Sequence, residues 1–125
     1  MKDRARRDPG LDALLDLDGQ ILVVDGKGDH WVKFEVRQVL ATSERPHGLH
    51  YSLTLHGASS ERLVGFDNAH GVRKAAGPGG RGPVPFDHKY RFRTIRPYEY
   101  RDPESLLRDF WNEVDAVLSE RGVLK

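Results

Sequence analysis

Residues 31–41, WVKFEVRQVLA, decide the fold class, because their side chains alternate between apolar and charged. Val32, Phe34 and Val36 fall on one side of an extended chain, and the residues between them are charged. This period of two predicts a half-buried strand in an antiparallel sheet. Leu49–His56, LHYSLTLH, alternates in the same way and predicts a second strand.

Further strands are predicted on either side of this pair. Residues 20–25, QILVVD, indicate a short strand that closes in the turn GKGD. The turn GASS returns the chain into Arg62–Asp67, and residues 90–96 alternate again. These segments predict an antiparallel meander of about five strands.

The C-terminal residues have the clearest helical pattern. Asp102 is a good N-cap, Pro103 suits the first helical position and Gly122 marks a stop. Apolar residues recur at helical spacing between them: Leu106, Leu107, Phe110, Trp111, Val114, Val117 and Leu118. The leucines of residues 11–15 suggest a short N-terminal helix. We therefore predict an α+β fold in which a C-terminal helix packs on one face of the sheet.

Length and composition fit one domain. The chain has 125 residues, and it lacks cysteine, which excludes a disulfide framework, a thiolate zinc site and a cysteine nucleophile. No apolar run approaches the roughly 20 residues of a membrane span, and no secretory signal is evident, so we expect a cytoplasmic protein. Residues 1–10 are expected to form a flexible basic arm, and residues 11–125 a single domain.

Basic residues are concentrated in one quarter of a chain whose net charge is only +1. Positions 71 to 101 contain eight basic and two acidic residues, and residues 71–85 form a basic loop rich in glycine and proline. Such a stripe attracts phosphates, and salt weakens the attraction. The alternative is that arginines on one strand face pair with acidic residues of the C-terminal helix.

Two polar motifs flank this loop, FDNAHG at the end of one strand and FDHKYRFR at the start of the next. If these strands pair, Asp67, His70, His88 and Lys89 come close together. Histidine transfers protons near neutrality, an adjacent aspartate can orient it, and cationic side chains stabilise charge on a phosphate. Such a set could activate an RNA 2′-hydroxyl against its own phosphate without a metal or another cofactor.

Other interpretations of these residues remain open. Asp67 and Asn68 are also typical of a turn that bonds its own backbone, and a single histidine is often a surface residue. A mixed oxygen and nitrogen metal site, as in a metal-dependent phosphodiesterase, could use Asp67, His70, Asp87 and His88. We expect no role for the histidines without charged company, which are His30, His47, His50 and His56.

Four motifs in this order resemble the TumE family of bacterial and archaeal toxin–antitoxin proteins. They are VGFDNAH, DHKYR, PYEY and LLRDFW, and the resemblance covers about residues 30–122. It implies a toxin related to the RelE/HigB-like group, which cleaves RNA and is silenced by a small helix-turn-helix antitoxin. The residues on motif positions are Asp67, Asn68, His88, Lys89 and Arg91.

The resemblance also shows two departures from the family pattern. Tyr90 stands where relatives usually have a second histidine, and the insertion at residues 75–85 is longer than in shorter members. If that histidine is the acid or base in relatives, Tyr90 must substitute for it or the activity is altered.

The leading hypothesis is a metal-independent endoribonuclease. Its candidate catalytic residues are Asp67, His70, His88, Lys89 and Arg91. Its candidate RNA-binding residues are Asn68, Arg73, Lys74, Arg81, Tyr90 and Arg93. The rival hypothesis is a module that binds RNA or a protein through the same basic face without chemistry.

Overall fold

The structure is a computed structural model, and it describes residues 9–42, 47–68 and 87–123. Within these residues one sheet contains six strands in chain order: β1 (Ile21–Val23), β2 (Trp31–Gln38), β3 (Leu49–His56), β4 (Arg62–Asp67), β5 (His88–Arg91) and β6 (Thr94–Pro97). Helix α1 (Pro9–Asp16) precedes the sheet and helix α2 (Pro103–Glu120) follows it. Neither helix of the described residues is long and apolar enough to cross a membrane.

The predicted α+β fold is confirmed, and the sheet is an antiparallel meander. It has one strand more than predicted, because residues 90–96 belong to a hairpin rather than to one strand. The chain turns at Phe92 and Arg93, between β5 and β6. Phe92 has a φ of 56°, in the left-handed region that residues other than glycine seldom adopt. No turn-forming residue signals this hairpin in the sequence.

The core lies between α2 and one side of the sheet. Phe110 of α2 meets the rings of Phe34 and Phe66 edge-on, with ring centroids 5.7 and 6.0 Å apart. All three side chains are buried. We call this side, which carries Phe34, Leu53 and Phe66, the helix face. The opposite side, which carries Lys33, Thr54 and Gly65, is the distal face. Successive residues of each strand alternate between the two.

Helix α2 begins and ends where the sequence predicts, whereas helix α1 begins earlier than predicted. The Asp102 side chain accepts a hydrogen bond from the backbone N–H of Ser105 at 2.7 Å, and Gly122 adopts a φ of 78° just after α2. Both predicted ends of this helix are therefore confirmed. Helix α1 begins at Pro9, so the last two residues of the predicted arm are helical, and residues 1–8 lie outside the described residues.

The Asp102 cap makes the stability of the fold depend on pH. The hydrogen bond from Ser105 holds the pKa of Asp102 below its ordinary 3.8. Its stabilisation is therefore complete above that value and disappears as the pH falls through the lowered pKa. We expect Asp102→Ala to lower the urea midpoint at pH 7, because the Ser105 N–H loses its partner.

Asp102→Asn is the matched control for this prediction, because an amide oxygen also caps a helix. We expect this variant to retain most of the midpoint at pH 7 and to lose less of it in acid than the unaltered protein. An unchanged midpoint in Asp102→Ala would contradict the assigned cap.

Candidate active site

Strands β4 and β5 pair as predicted and bring the two polar motifs together. Asp67 is the register partner of His88, and Gly65 is the partner of Tyr90. The Asp67 carboxylate Oδ1 lies 3.0 Å from Nε2 of His88. Both side chains are buried on the distal face, with 6 and 3% exposure. Strand pairing therefore creates a close aspartate–histidine pair from residues 21 positions apart in the sequence.

The His88 ring keeps hydrogen-bonding capacity for another group. Within the described residues neither ring nitrogen has a hydrogen bond, although Nε2 lies 3.0 Å from the Asp67 carboxylate. The Tyr90 ring packs against the imidazole edge-on, with centroids 5.5 Å apart. A buried imidazole beside a carboxylate, with an uncommitted nitrogen, is a candidate for general acid–base chemistry.

Arg62, which was not predicted from the sequence as a site residue, holds Tyr90 beside this pair. The Arg62 guanidinium lies 3.8 Å from the centre of the Tyr90 ring, a cation–π contact. A Cβ at Gly65 would lie 3.3 Å from Arg62 Cδ and 3.4 Å from Tyr90 Cδ1, so glycine gives these side chains room. Burial and then the Asp67 charge raise the pKa of Tyr90. Its hydroxyl therefore stays protonated at neutral pH, so it is able to donate a hydrogen bond.

Lys89 and Arg91 point to the helix face, away from His88. Lys89 Nζ lies 3.8 Å from Glu113, and Arg91 lies 3.3 Å from Glu113 and 2.9 Å from Glu120. Adjacent residues of a strand face opposite sides, so the motif HKYR divides between two surfaces. The contacts of these two residues match the alternative in which strand cations pair with acids of the C-terminal helix.

Two further described cations of the basic stripe, Arg93 and Arg96, lie near the same edge of the sheet. Arg96 joins Lys89 and Arg91 around a pocket of about 380 Å³ that Glu113 also lines. Arg93 is exposed in the turn between β5 and β6. The structure therefore groups the basic residues with one another but not with the Asp67–His88 pair.

Asn68 supports the sheet. Its side-chain oxygen accepts a hydrogen bond from the Tyr51 N–H at 3.0 Å, and its amide nitrogen donates to the Leu49 carbonyl at 2.7 Å. The side chain is fully buried, with 0% exposure. These bonds reach the neighbouring strand rather than its own turn. Asn68 thus fixes the end of β4, where Asp67 meets His88, and it presents no surface to a substrate.

A second histidine cluster was missed because its members are far apart in the sequence. Asp87 accepts a hydrogen bond from the Tyr51 hydroxyl at 2.8 Å and lies 3.0 Å from His47 Nε2. The His47 ring packs on Tyr100 with centroids 4.2 Å apart. Burial, followed by the Asp87 charge, raises the pKa of Tyr51 well above its usual range. The prediction that His47 has no charged company is wrong.

The same prediction is wrong for His30. Its Nδ1 lies 2.7 Å from Asp25, and the Arg121 guanidinium donates to its Nε2 at 3.2 Å. Because Nε2 accepts, Nδ1 carries the proton and donates to Asp25, whose pKa is lowered by this bond. The three residues tie the turn before β2 to the end of α2, which is a structural role.

The metal-site alternative gains no support from the described geometry. Among the described residues, no group of three or more histidine, aspartate or glutamate side chains could hold a metal ion. Asp87 turns to His47 and Tyr51 instead of joining Asp67 and His88. The other predicted site residues lie outside the described residues: His70, Arg73, Lys74 and Arg81.

The comparisons with known proteins identify the family. A family model described as Toxin TumE matches residues 17–118, which include every strand and nearly all of α2. No curated protein and no solved structure matches the chain. The match spans both motifs of the Asp67–His88 pair. The chain therefore belongs to the TumE toxin family, as the toxin component of a toxin–antitoxin system whose partner is an antitoxin.

Proposed function

We propose that this toxin is a metal-independent endoribonuclease in which His88 transfers the proton. The observation that carries the proposal is the His88 imidazole, placed 3.0 Å from the Asp67 carboxylate with a ring nitrogen uncommitted within the described residues. The negative charge of this carboxylate stabilises the imidazolium that forms when the ring takes a proton.

The proposed reaction uses the RNA itself as nucleophile. His88 removes the proton of a 2′-hydroxyl, the 2′-oxygen attacks the adjacent phosphorus, and the bond to the 5′-oxygen breaks. The products are a 2′,3′-cyclic phosphate and a 5′-hydroxyl, whose proton comes from an acid. We assign that acid to His70, the histidine that follows Asp67 and Asn68 in the sequence. Arg62 and the protonated Tyr90 hydroxyl supply positive charge and a donor to the phosphate.

A second candidate is an RNA-binding module without chemistry. The observation that favours it is the 3% exposure of His88, because a ring so deeply buried offers little surface to an RNA 2′-hydroxyl. Both candidates use the distal face of the sheet. They differ in the expected effect of losing the His88 imidazole. The endoribonuclease would cleave RNA more slowly, whereas the binding module would bind RNA as before.

We also propose the nature of the antitoxin and the place of action. The resemblance of the motifs to the TumE family supports a small helix-turn-helix antitoxin, and RNA and antitoxin would be met in the cytoplasm. Expression of the chain alone should stop growth, and a neighbouring gene for such a protein should restore it. Normal growth on expression of the chain alone would contradict a toxin that needs silencing.

Cleavage in the presence of EDTA tests the proposed reaction. We expect purified protein to cleave a labelled single-stranded RNA in EDTA. One 2′-deoxynucleotide at the cleaved position should stop the reaction there, because the nucleophile is missing. Intact RNA in every lane would reject the endoribonuclease. Cleavage that requires Mg²⁺, Mn²⁺ or Zn²⁺ would favour the metal-dependent phosphodiesterase.

A further inference from the structure

Aromatic rings and a guanidinium follow one another in a row across the distal face. The rings of Trp31 and His56 stack with centroids 5.7 Å apart and planes 16° apart. His56 is the register partner of Arg62, whose guanidinium lies 3.8 Å from the centre of the Tyr90 ring. Tyr90 in turn contacts the His88 ring at 5.5 Å. The row therefore runs from β2 to β5 and ends at the proposed proton-transfer residue.

The far end of the row is a fixed stacking surface. His56 Nδ1 lies 3.3 Å from the Ser60 carbonyl, and Nε2 lies 3.0 Å from the Thr54 hydroxyl. A carbonyl only accepts, so Nδ1 carries the proton and Nε2 accepts from Thr54. Both nitrogens are therefore used, and the ring is held in place against Trp31. Trp31 itself is partly exposed, with His56 on one side and its β1 register partner Val23 on the other.

The charge of this face suits a polyanion. Lys33 and Arg37 of β2 lie on the distal face, and Arg62 reaches the same side from β4. Glu35 is the acidic side chain among the distal residues of β2, and it pairs with Lys33 at 3.3 Å. With Asp67 included, the distal residues named here carry three cations and two carboxylates, which leaves a small excess of positive charge.

We propose that single-stranded RNA lies along this row, with one base stacked on Trp31 and the backbone passing Arg62 towards His88. The inference rests on the proposed function and names its substrate class. Adjacent strands lie about 4.8 Å apart, so the row spans about 14 Å. An open sheet of this size stacks on the order of two or three bases. Duplex RNA keeps its bases in its own stack and cannot use the row.

Binding by a protein that cannot cleave tests this inference. We choose His88→Gln as the background and a fluorescein-labelled single-stranded 12-nucleotide RNA as the probe, with fluorescence anisotropy as the readout. Adding Trp31→Ala should raise the Kd roughly 5- to 100-fold, the usual effect of losing one base stack. Adding Trp31→Phe should restore most of the affinity, because a ring remains.

Phe92→Ala is the matched control, because this exposed aromatic lies in the turn between β5 and β6, outside the row. It should leave the Kd unchanged, and a duplex of the same sequence should compete poorly. Equal affinity of the Trp31→Ala and background proteins, or equal binding of duplex, would overturn the inference.

The outcomes separate this inference from the proposed function. RNA cleavage by the unaltered protein without any Trp31 effect rejects the stacking row and leaves the endoribonuclease intact. Binding that depends on Trp31, in a protein that never cleaves RNA, supports the row and rejects the endoribonuclease.

Discussion

His88→Gln is expected to slow RNA cleavage by about 10²- to 10⁴-fold, the usual contribution of a positioned acid or base. Glutamine keeps a polar side chain of similar reach next to Asp67 but cannot take up a proton near neutrality. The measurement is the initial cleavage rate on a single-stranded RNA, with RNA affinity measured separately. A lower rate at unchanged affinity would assign His88 to the chemistry rather than to binding.

Lys89→Gln tests whether the site is defined by the distal face or by the sequence motif that contains both His88 and Lys89. Lys89 is the next residue of β5, but it points to the helix face, 3.8 Å from Glu113. We therefore expect a small effect on the rate. If Lys89→Gln were as damaging as His88→Gln, the assignment of the site to the distal face would be wrong. Equal cleavage rates of His88→Gln and the unaltered protein would show that His88 is not the proton-transfer residue, whereas RNA binding without cleavage by the unaltered protein would favour the binding module.

Asn68→Ala is expected to lower the free energy of unfolding by about 2–6 kcal/mol. The change removes both side-chain bonds to β3 and leaves the Tyr51 N–H and the Leu49 carbonyl without these partners. Buried polar groups that lose a partner cost roughly 1–3 kcal/mol each. Urea unfolding, monitored by tryptophan fluorescence, gives the free energy and the slope together.

Asn112→Ala is the matched control for Asn68→Ala, because Asn112 is exposed on α2. Its effect should stay within about 0.5 kcal/mol. A stable Asn68→Ala protein with weakened RNA binding would contradict the structural role. That result would return Asn68 to the substrate-binding residues that the sequence predicted.

The elements of the fold could be predicted from the sequence where a single local pattern determines them. Strands β3 and β4 occupy the predicted residues, because β3 has an alternating sequence along its whole length and β4 follows the turn GASS. Helix α2 begins and ends as predicted, because its cap and its stop are local signals. The hairpin between β5 and β6 was missed, because Phe92 and Arg93 are unusual turn residues and neighbouring strands stabilise their conformation.

The candidate site could be predicted from the sequence only in part. The pairing of Asp67 with His88 follows from two strand ends and was predicted. The grouping of His88 with Lys89 treated neighbours in sequence as neighbours in space, whereas strand alternation separates them. Arg62 was missed because its position over Tyr90 depends on the register of β4 and β5 and on the absence of a side chain at Gly65.

The most direct measurement of the proposed mechanism is the chemistry of the RNA ends after incubation in EDTA. Attack by the 2′-hydroxyl predicts a 2′,3′-cyclic phosphate on one product and a 5′-hydroxyl on the other, and neither should form with His88→Gln. A 3′-hydroxyl with a 5′-phosphate, or the same ends at the same rate from His88→Gln, would contradict it.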